Sequence, residues 1–222
     1  MLKMQGVFKY YISKYRREYI LRDIDLEVQK GEFVTVMGPS GAGKSTLLYL
    51  LGMLESIDDG EYLYKDIPIH SFNDKKRTEI HKHEIGFVFQ QYHLIDELTV
   101  YENIEIPLLY KKVKSPERKS LVCDILDKFN IVAKKDLFPN QLSGGQQQLV
   151  GICRAIIGKP DLLLADEPTG NLNSEQGLEI MEVLKKMNQH GTTIIQVTHS
   201  REKAAFGNRI VNLLDGMIQA DQ

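Results

Sequence analysis

Polar and apolar positions alternate along two stretches near the N-terminus, 2–10 and 20–28. A period of two is typical of half-buried strands, so we predict that these stretches pair as antiparallel strands. The polar, aromatic-rich segment between them, 11–19, is the predicted turn. Short apolar runs later in the chain predict buried strands of the parallel kind, at 32–37, 85–90, 162–167 and 192–197. A β-like run at 61–69 and a closing hairpin at 209–213 and 217–218 complete the predicted strands.

Helical spacing of apolar residues appears between these strands. The stretch 91–160 is mainly helical, and its clearest helix, 117–129, repeats Leu121, Val122, Ile125, Leu126 and Phe129. The charged run 75–83 predicts a solvated helix. A later helix is expected to begin with Ser174 as N-cap, to bury Leu178, Met181, Leu184 and Met187, and to end at Gly191.

Composition narrows the class of protein. The chain has 222 residues, 42% hydrophobic and 26% charged, with a net charge of −2, which fits one globular domain and predicts no nucleic-acid partner. Cys123 and Cys153 are expected to be reduced thiols that act as small buried hydrophobes. The apolar runs are too short to cross a bilayer and no signal-peptide pattern is present, so we expect any role at a membrane to need a partner.

The run 38–45 reads GPSGAGKS and fits the phosphate-binding pattern G-x-x-x-x-G-K-[ST], between a predicted strand and a predicted helix. Backbone N–H groups of a loop with little side-chain bulk can surround a phosphate chain, Lys44 can reach its β- and γ-phosphates, and the Ser45 hydroxyl can ligate Mg²⁺. The alternative is a Gly-rich turn with a solvated lysine. The candidate nucleotide-binding residues are Gly38, Pro39, Ser40, Gly41, Ala42, Gly43, Lys44, Ser45 and Thr46.

Polar residues follow three of the buried strands. Asp166 suits the Mg²⁺ shell, and Glu167 suits a general base that activates water, although a solvated acidic loop is the alternative. Gln90 ends another strand, where an amide can report on a metal ion or a water or can be a plain loop residue. His199 ends a third strand and would face the same edge as Glu167.

A second Gly-rich helix start, 142–148, offers another anion site. One chain seldom needs two such sites for one nucleotide unless they face each other across an assembly. Tyr11 could stack on a purine ring or could cap the core.

The motif Leu142-Ser143-Gly144-Gly145-Gln146, taken with the phosphate-binding run, Gln90, Asp166-Glu167 and His199 in this order, resembles the ATP-binding-cassette ATPases over essentially the whole chain. Further stretches resemble the lipoprotein-releasing and macrolide-exporter branch, with cell-division and peptide-resistance ATPases as close neighbours. The expected fold is therefore α/β: a P-loop NTPase core at 1–90 and 161–222 with an N-terminal antiparallel β subdomain, and a helical subdomain at 91–160, in a single domain spanning 1–222.

The resemblance implies a homodimer with two ATP molecules between its subunits. Each ATP, with Mg²⁺ held by Ser45, Gln90 and Asp166, would meet Ser143, Gly144, Gly145 and Gln146 of the opposite subunit. Glu167, His199, Gln90 and Lys44 would carry catalysis, and Tyr11 would stack on adenine. A membrane permease would dock near residues 90–101. The protein would then be cytoplasmic, held at the inner face of the membrane by its partner, and would power export or extraction of lipoprotein, peptide or drug-like cargo.

Three positions depart from the family pattern. Asn173 replaces an aspartate that contacts the opposite subunit, Leu149 replaces a common arginine, and Gly151 replaces a common alanine. Two other functions stay open: a soluble cassette ATPase that remodels a cytosolic partner, and a clamp that binds nucleotide without useful hydrolysis. A GTPase or a small-molecule kinase is disfavoured, because neither explains the Ser143-Gly144-Gly145 turn.

Overall fold

The two alternating N-terminal stretches pair as antiparallel strands, as predicted. The structure, a computed structural model, describes residues 1–13 and 16–221 and places β1 at Leu2–Ser13 and β2 at Arg16–Val28. The predicted turn is wrong over most of its length, because Tyr10 pairs with Tyr19 and Tyr11 with Glu18. Aromatic side chains favour strands, and the rings of Tyr10 and Tyr19 pack edge to face with centroids 5.4 Å apart. The predicted turn residues Lys14 and Tyr15 lie outside the described residues.

The continuous apolar runs form a second sheet of six strands in the order β10-β9-β3-β8-β7-β6. All neighbouring strands in it are parallel except the β9–β10 hairpin. The other sheet has the order β2-β1-β4-β5. The remaining strands are β3 (Phe33–Met37), β4 (Asp59–Tyr64), β5 (Ile67–Pro68), β6 (Ile85–Val88), β7 (Leu162–Asp166), β8 (Thr193–Thr198), β9 (Arg209–Leu214) and β10 (Met217–Asp221).

Helices occupy the predicted regions, and α2 has no buried residue, in agreement with a solvated helix. Pro107, whose side chain interrupts helical hydrogen bonding, nevertheless lies inside α3. The helices are α1 (Lys44–Leu51), α2 (Asp74–Glu84), α3 (Val100–Tyr110), α4 (Ser115–Lys128), α5 (Gly144–Ile156), α6 (Ser174–Gln189) and α7 (Arg201–Ala204).

Three clusters of buried apolar side chains hold these layers together. The first joins the antiparallel sheet to α1 and one face of the parallel sheet, and the second packs α5 and α6 on the other face. The third connects α3, α4 and α5. Its members all fall within the predicted helical subdomain, although the division of the chain at residues 90 and 160 stays a prediction.

Several details differ from the sequence-based expectation. The N-cap of α6 is Asn173 rather than Ser174, and its side chain accepts a hydrogen bond from the Gln176 N–H. Leu178 is 41% exposed, because its place on α6 turns it away from the core that holds Met181 and Leu184. Cys153 is buried as expected, whereas Cys123 is exposed. Across residues 1–13 and 16–221, no helix combines the length and the apolar character that a bilayer crossing requires.

Candidate functional site

The phosphate-binding run forms the loop between β3 and α1, as predicted. Gly43 has φ of +96° and precedes the first helical residue, Lys44. A Cβ atom on Gly43 would lie 2.8 Å from Leu21 Cδ2, and one on Gly38 would lie 2.1 Å from the carbonyl oxygen of Leu213. Glycine is therefore required at both positions, because β2 and β9 pack directly against the loop.

A cavity of about 670 Å³ opens over this loop and the start of α1. It gathers residues from β2, the loop, and the carboxyl ends of β6, β7 and β8. Parallel α/β sheets place ligands at this edge of the strands. The lining residues are Ile20, Ser40, Gly41, Gly43, Lys44, Ser45, Thr46, Gln90, Asp166, Glu167 and His199.

Lys44 lies across the loop that precedes it. Its Nζ donates hydrogen bonds of 2.9 Å to the carbonyl oxygens of both Gly38 and Pro39. The ammonium group therefore stands at the loop, where it can exchange these carbonyls for phosphate oxygens. A compact charge on a flexible stem is suited to such an exchange.

Asp166 ends β7 and is 7% exposed. Burial raises the pKa of its carboxyl group; a hydrogen bond from Ser45 lowers that pKa, the neighbouring Glu167 raises it, and the charge of Lys44 lowers it. The carboxyl group is thus desolvated and lies beside the Ser45 hydroxyl. A cation at this position would offset the cost of burying its charge.

Glu167 is held by the residues that end β8. One carboxylate oxygen accepts a hydrogen bond of 3.1 Å from Thr198 Oγ1, and the other accepts one of 3.0 Å from the His199 N–H. His199 Nδ1 lies 2.8 Å from the same Glu167 oxygen. The Glu167 backbone has a φ of +43°, an uncommon conformation that often occurs at functional sites. The structure therefore joins Glu167 and His199 in one hydrogen-bonded pair.

Gln90 lines the cavity from a segment that follows β6. Asn171 Nδ2 donates a hydrogen bond of 2.9 Å to the Gln90 carbonyl oxygen, which joins this segment to the loop after β7. Tyr92 and His93 follow with φ of +55° and +45°. Two consecutive non-glycine residues in the left-handed region are uncommon and need support from the surrounding structure.

The second Gly-rich helix start forms the N-terminus of α5. Ser143 is the N-cap in a reciprocal capping box, in which Gln146 N–H donates to Ser143 Oγ and Ser143 N–H donates to Gln146 Oε1. A Cβ atom on Gly145 would lie 2.6 Å from the Gln176 amide. None of these residues lines the cavity of the same chain.

Tyr11 is 45% exposed on β1 and does not line the cavity. Its hydroxyl donates a hydrogen bond of 2.9 Å to Glu55, which fixes the ring beside the loop that follows α1. The paired strand β2 brings Ile20 into the cavity. The structure thus leaves the proposed adenine contact of Tyr11 as a prediction.

Leu149 and Gly151 both fit their places in α5. Leu149 packs against the second and third apolar clusters, so an apolar side chain serves where the family pattern has arginine. Gly151 is buried in mid-helix, and a Cβ atom there would meet the Tyr92 carbonyl oxygen at an ordinary contact distance of 3.6 Å.

Three residues of the site have no role in the sequence-based prediction. Ile20 lines the cavity, Thr198 donates to Glu167, and Asn171 donates to the Gln90 carbonyl. An isolated aliphatic, hydroxyl or amide residue carries no recognisable spacing. Only Thr198, at a strand end beside His199, offers a signal that could have been used.

Comparisons with known proteins agree with this geometry. The family model described as "ABC transporter" matches residues 21–170. The chain is similar to the uncharacterized ABC transporter ATP-binding protein MJ0796 of Methanocaldococcus jannaschii, with 41% identity over 227 residues, covering 100% of this chain and 97% of that protein. A solved dimeric structure of the cassette MJ0796, in a post-hydrolysis state bound to ADP and Pi, matches with a TM-score of 0.94 at 40% identity and covers 100% of this chain and 98% of that one.

The chain is also similar to the macrolide export ATP-binding/permease protein MacB of Chlorobium luteolum. The two are 42% identical over 202 residues, which is 91% of this chain and 30% of that protein. The MacB protein of Nitrosomonas europaea is 40% identical over 222 residues, 34% of its length. The chain therefore spans about a third of the MacB proteins that it matches.

Proposed function

This chain belongs to the ABC transporter family as an ATP-hydrolysing cassette, and on that premise we propose that two copies close head to tail around two ATP molecules and drive a membrane-embedded partner. The observation that supports ATP hydrolysis most is the cavity of this chain. It brings Lys44, Ser45, Gln90, Asp166, Glu167 and His199 together over a phosphate-binding loop.

In the proposed reaction, Glu167 accepts a proton from the water that attacks the γ-phosphorus, while the bond from that phosphorus to the bridging oxygen of the β-phosphate breaks and ADP leaves. His199 holds the Glu167 carboxylate through the 2.8 Å contact, and we propose that it also contacts the γ-phosphate. Lys44 and the N–H groups of the loop stabilise the charge on the phosphate oxygens. Gln90, which lines the same cavity, orients the attacking water in this proposal.

The residues present fit Mg²⁺. Ser45, Gln90 and Asp166 all line the cavity and all offer oxygen, which is the donor that Mg²⁺ prefers. The ion, when bound, neutralises negative charge on the phosphate oxygens. Burial of Asp166 in this structure supports the assignment, because a desolvated carboxylate favours a cation.

Each ATP is proposed to complete its site with α5 of the opposite copy. The N-terminus of α5 carries Ser143, Gly144, Gly145 and Gln146, and helix N-termini favour anions. These residues line no part of their own chain's cavity, so they are free to serve another copy's nucleotide. The solved MJ0796 cassette structures are themselves described as dimeric.

A groove between the core and the third cluster is the proposed dock for a cytoplasmic helix of the membrane partner. It has a volume of about 370 Å³ and apolar walls from α3, β6 and the segment after it. His93 and Ile95, within the segment 90–101, line it together with Phe87, Phe89, Ile106 and Tyr110. Because the MacB relatives are named ATP-binding/permease proteins, we propose a permease as partner and the inner face of the membrane as the location.

Cargo selection would then reside in the partner. We propose lipoprotein, peptide or drug-like cargo as the class, supported by the similarity to macrolide export proteins.

Replacement of Glu167 by Gln tests the catalytic assignment. The amide keeps the size of the side chain but cannot accept a proton, so steady-state ATP turnover should fall at least about 10²-fold while ATP binding is retained. The measurement is phosphate release together with binding of a fluorescent ATP analogue. Glu179→Gln, which removes an exposed carboxylate from α6, is the matched control and should keep turnover. Wild-type turnover in Glu167→Gln would refute the role of Glu167.

A further inference from the structure

The segment that carries Gln90 is held by α5, the helix that starts with the Ser143-Gly144-Gly145 turn. Arg154, in the last turn of α5, donates two hydrogen bonds to main-chain oxygens of this segment: 2.8 Å to Tyr92 and 2.6 Å to His93. These are charge-assisted bonds, which are shorter and stronger than neutral ones. They join residues 62 and 61 positions apart in the sequence.

The same two residues are the ones with left-handed backbones. Tyr92 and His93 have φ of +55° and +45°, and such conformations persist only where the surroundings fix them. Each of their carbonyl oxygens accepts one bond from the Arg154 guanidinium. Arg154 therefore supplies the support that this backbone needs.

Other contacts of α5 with the segment are weaker. Gln148 Nε2 reaches the Phe89 carbonyl oxygen only at 3.5 Å, and its Oε1 has no hydrogen-bond partner among the described residues. Tyr92 lies along the helix: a Cβ atom on Gly144 would come within 2.8 Å of the Tyr92 hydroxyl oxygen. The segment thus follows α5 from its first turn to its last, and Arg154 is the α5 side chain that makes the shorter hydrogen bonds to it, beside the bond from Asn171 to the Gln90 carbonyl oxygen.

Arg154 also lines the proposed docking groove, together with His93 and Phe89. Gln90, which lines the nucleotide cavity, directly follows Phe89 and lies three positions before His93. Arg154 consequently contacts both the groove and the main chain that follows Gln90. It belongs to α5, whose N-terminus is proposed to meet the ATP of the opposite copy.

We propose that Arg154 is a positioning residue that sets the place of Gln90 in the nucleotide cavity by holding the Tyr92 and His93 carbonyls. The two hydrogen bonds join the segment 90–93 to α5 and so fix the main chain from which the Gln90 side chain enters the cavity. This inference rests on the proposed function and names a residue that positions a side chain of that same site.

A double-mutant cycle with Gln90→Ala tests it. Arg154→Met removes both hydrogen bonds but keeps an unbranched apolar stem. It should lower kcat roughly tenfold, an effect within the range typical of residues in one network, while KM for ATP changes less than about twofold. If Arg154 acts through Gln90, the double variant should turn over ATP like Gln90→Ala alone. If Arg154 acted on stability only, Arg154→Met would lower the active fraction by the same factor in the wild-type protein and in the Gln90→Ala protein.

Arg154→Lys covers the case in which Arg154→Met does not fold, because lysine keeps a cation that can donate to the carbonyls. It should recover part of the lost kcat. Lys111→Met is the matched control: its Nζ also donates to two main-chain oxygens, those of His83 and Gly158, and neither of these acceptors lies in the segment 90–93. The factors by which Lys111→Met and Gln90→Ala each change kcat should multiply in the double variant.

Independent effects of Arg154→Met and Gln90→Ala on kcat, with wild-type ATPase intact, would overturn this inference and leave the proposed function standing. Absence of ATP turnover in the wild-type protein would contradict the proposed function, and this inference with it. The two failures are therefore distinguishable in one set of assays.

Discussion

At the scale of single residues, Asn173 shows how one side chain can differ from its family pattern without loss of local structure. Its Oδ1 accepts a hydrogen bond of 2.9 Å from the Gln176 N–H, which caps α6. An aspartate could make the same bond and would add a negative charge at the positive end of the helix dipole. The amide therefore keeps the cap but gives up the favourable charge.

Two substitutions at this position should shift stability in opposite directions. Asn173→Ala removes the cap and should lower the free energy of unfolding by about 0.5–2 kcal/mol. Asn173→Asp should raise it by about 0.3–1 kcal/mol at low ionic strength, and salt should reduce the gain. Urea unfolding measures both changes in the free energy of unfolding, provided that its slope against urea concentration is the same for each variant.

Ser174→Ala is the control, because Ser174 is the first residue of α6 and not its N-cap. Its effect should stay within about 0.5 kcal/mol. A cost for Ser174→Ala equal to that of Asn173→Ala would show that the cap is assigned to the wrong residue.

At the scale of helices and strands, the docking groove depends on how α3 packs. Tyr110, in the last turn of α3, lines the groove yet is 61% exposed. An exposed aromatic residue on an apolar groove is typical of a protein interaction site. Since α3 and α5 belong to the third cluster, a helix bound here would contact the same layer that carries Arg154.

Capture of the partner by the Glu167→Gln protein with ATP tests this groove. From detergent-solubilised membranes of the source cell, it should recover a protein with several membrane spans. Adding Tyr110→Asp should abolish recovery, because a carboxylate in the groove loses the apolar contact and needs desolvation on binding. Leu178→Asp, which changes an exposed apolar residue on α6, should leave recovery unchanged. Equal recovery with Tyr110→Asp would exclude this groove as the dock.

At the scale of the whole molecule, much of the fold follows from local signals. The apolar runs and the phosphate-binding pattern predict parallel strands, and the strand ends predict His199 and Glu167 at one edge, whereas the place of Gln90 in this site is implied by the family resemblance. Parallel sheets bury both faces, so their strands are visible as continuous apolar runs. Strand order and the meeting of carboxyl ends then place the polar residues in one cavity.

The remaining features depend on contacts between distant parts of the chain. The bonds of Arg154 to Tyr92 and His93, and that of Asn171 to Gln90, join residues 61 to 81 positions apart. The stretch 11–19 is predicted as a turn from its polar composition, but the structure pairs Tyr10 with Tyr19 on adjacent strands, because packing of the aromatic rings outweighs that composition. Such contacts are set by tertiary packing, which short-range periodicity does not encode.

ATP is proposed to join two copies of this chain, and the mass of the Glu167→Gln protein in MgATP is the measurement that tests this dimer. We expect size-exclusion chromatography with light scattering to give twice the monomer mass of 25.4 kDa with ATP and the monomer mass without it. Adding Gly145→Asp, which places a carboxylate against the opposite copy's phosphates, should prevent the dimer. A Glu167→Gln protein that stays at 25.4 kDa in saturating MgATP would contradict the ATP-bound dimer.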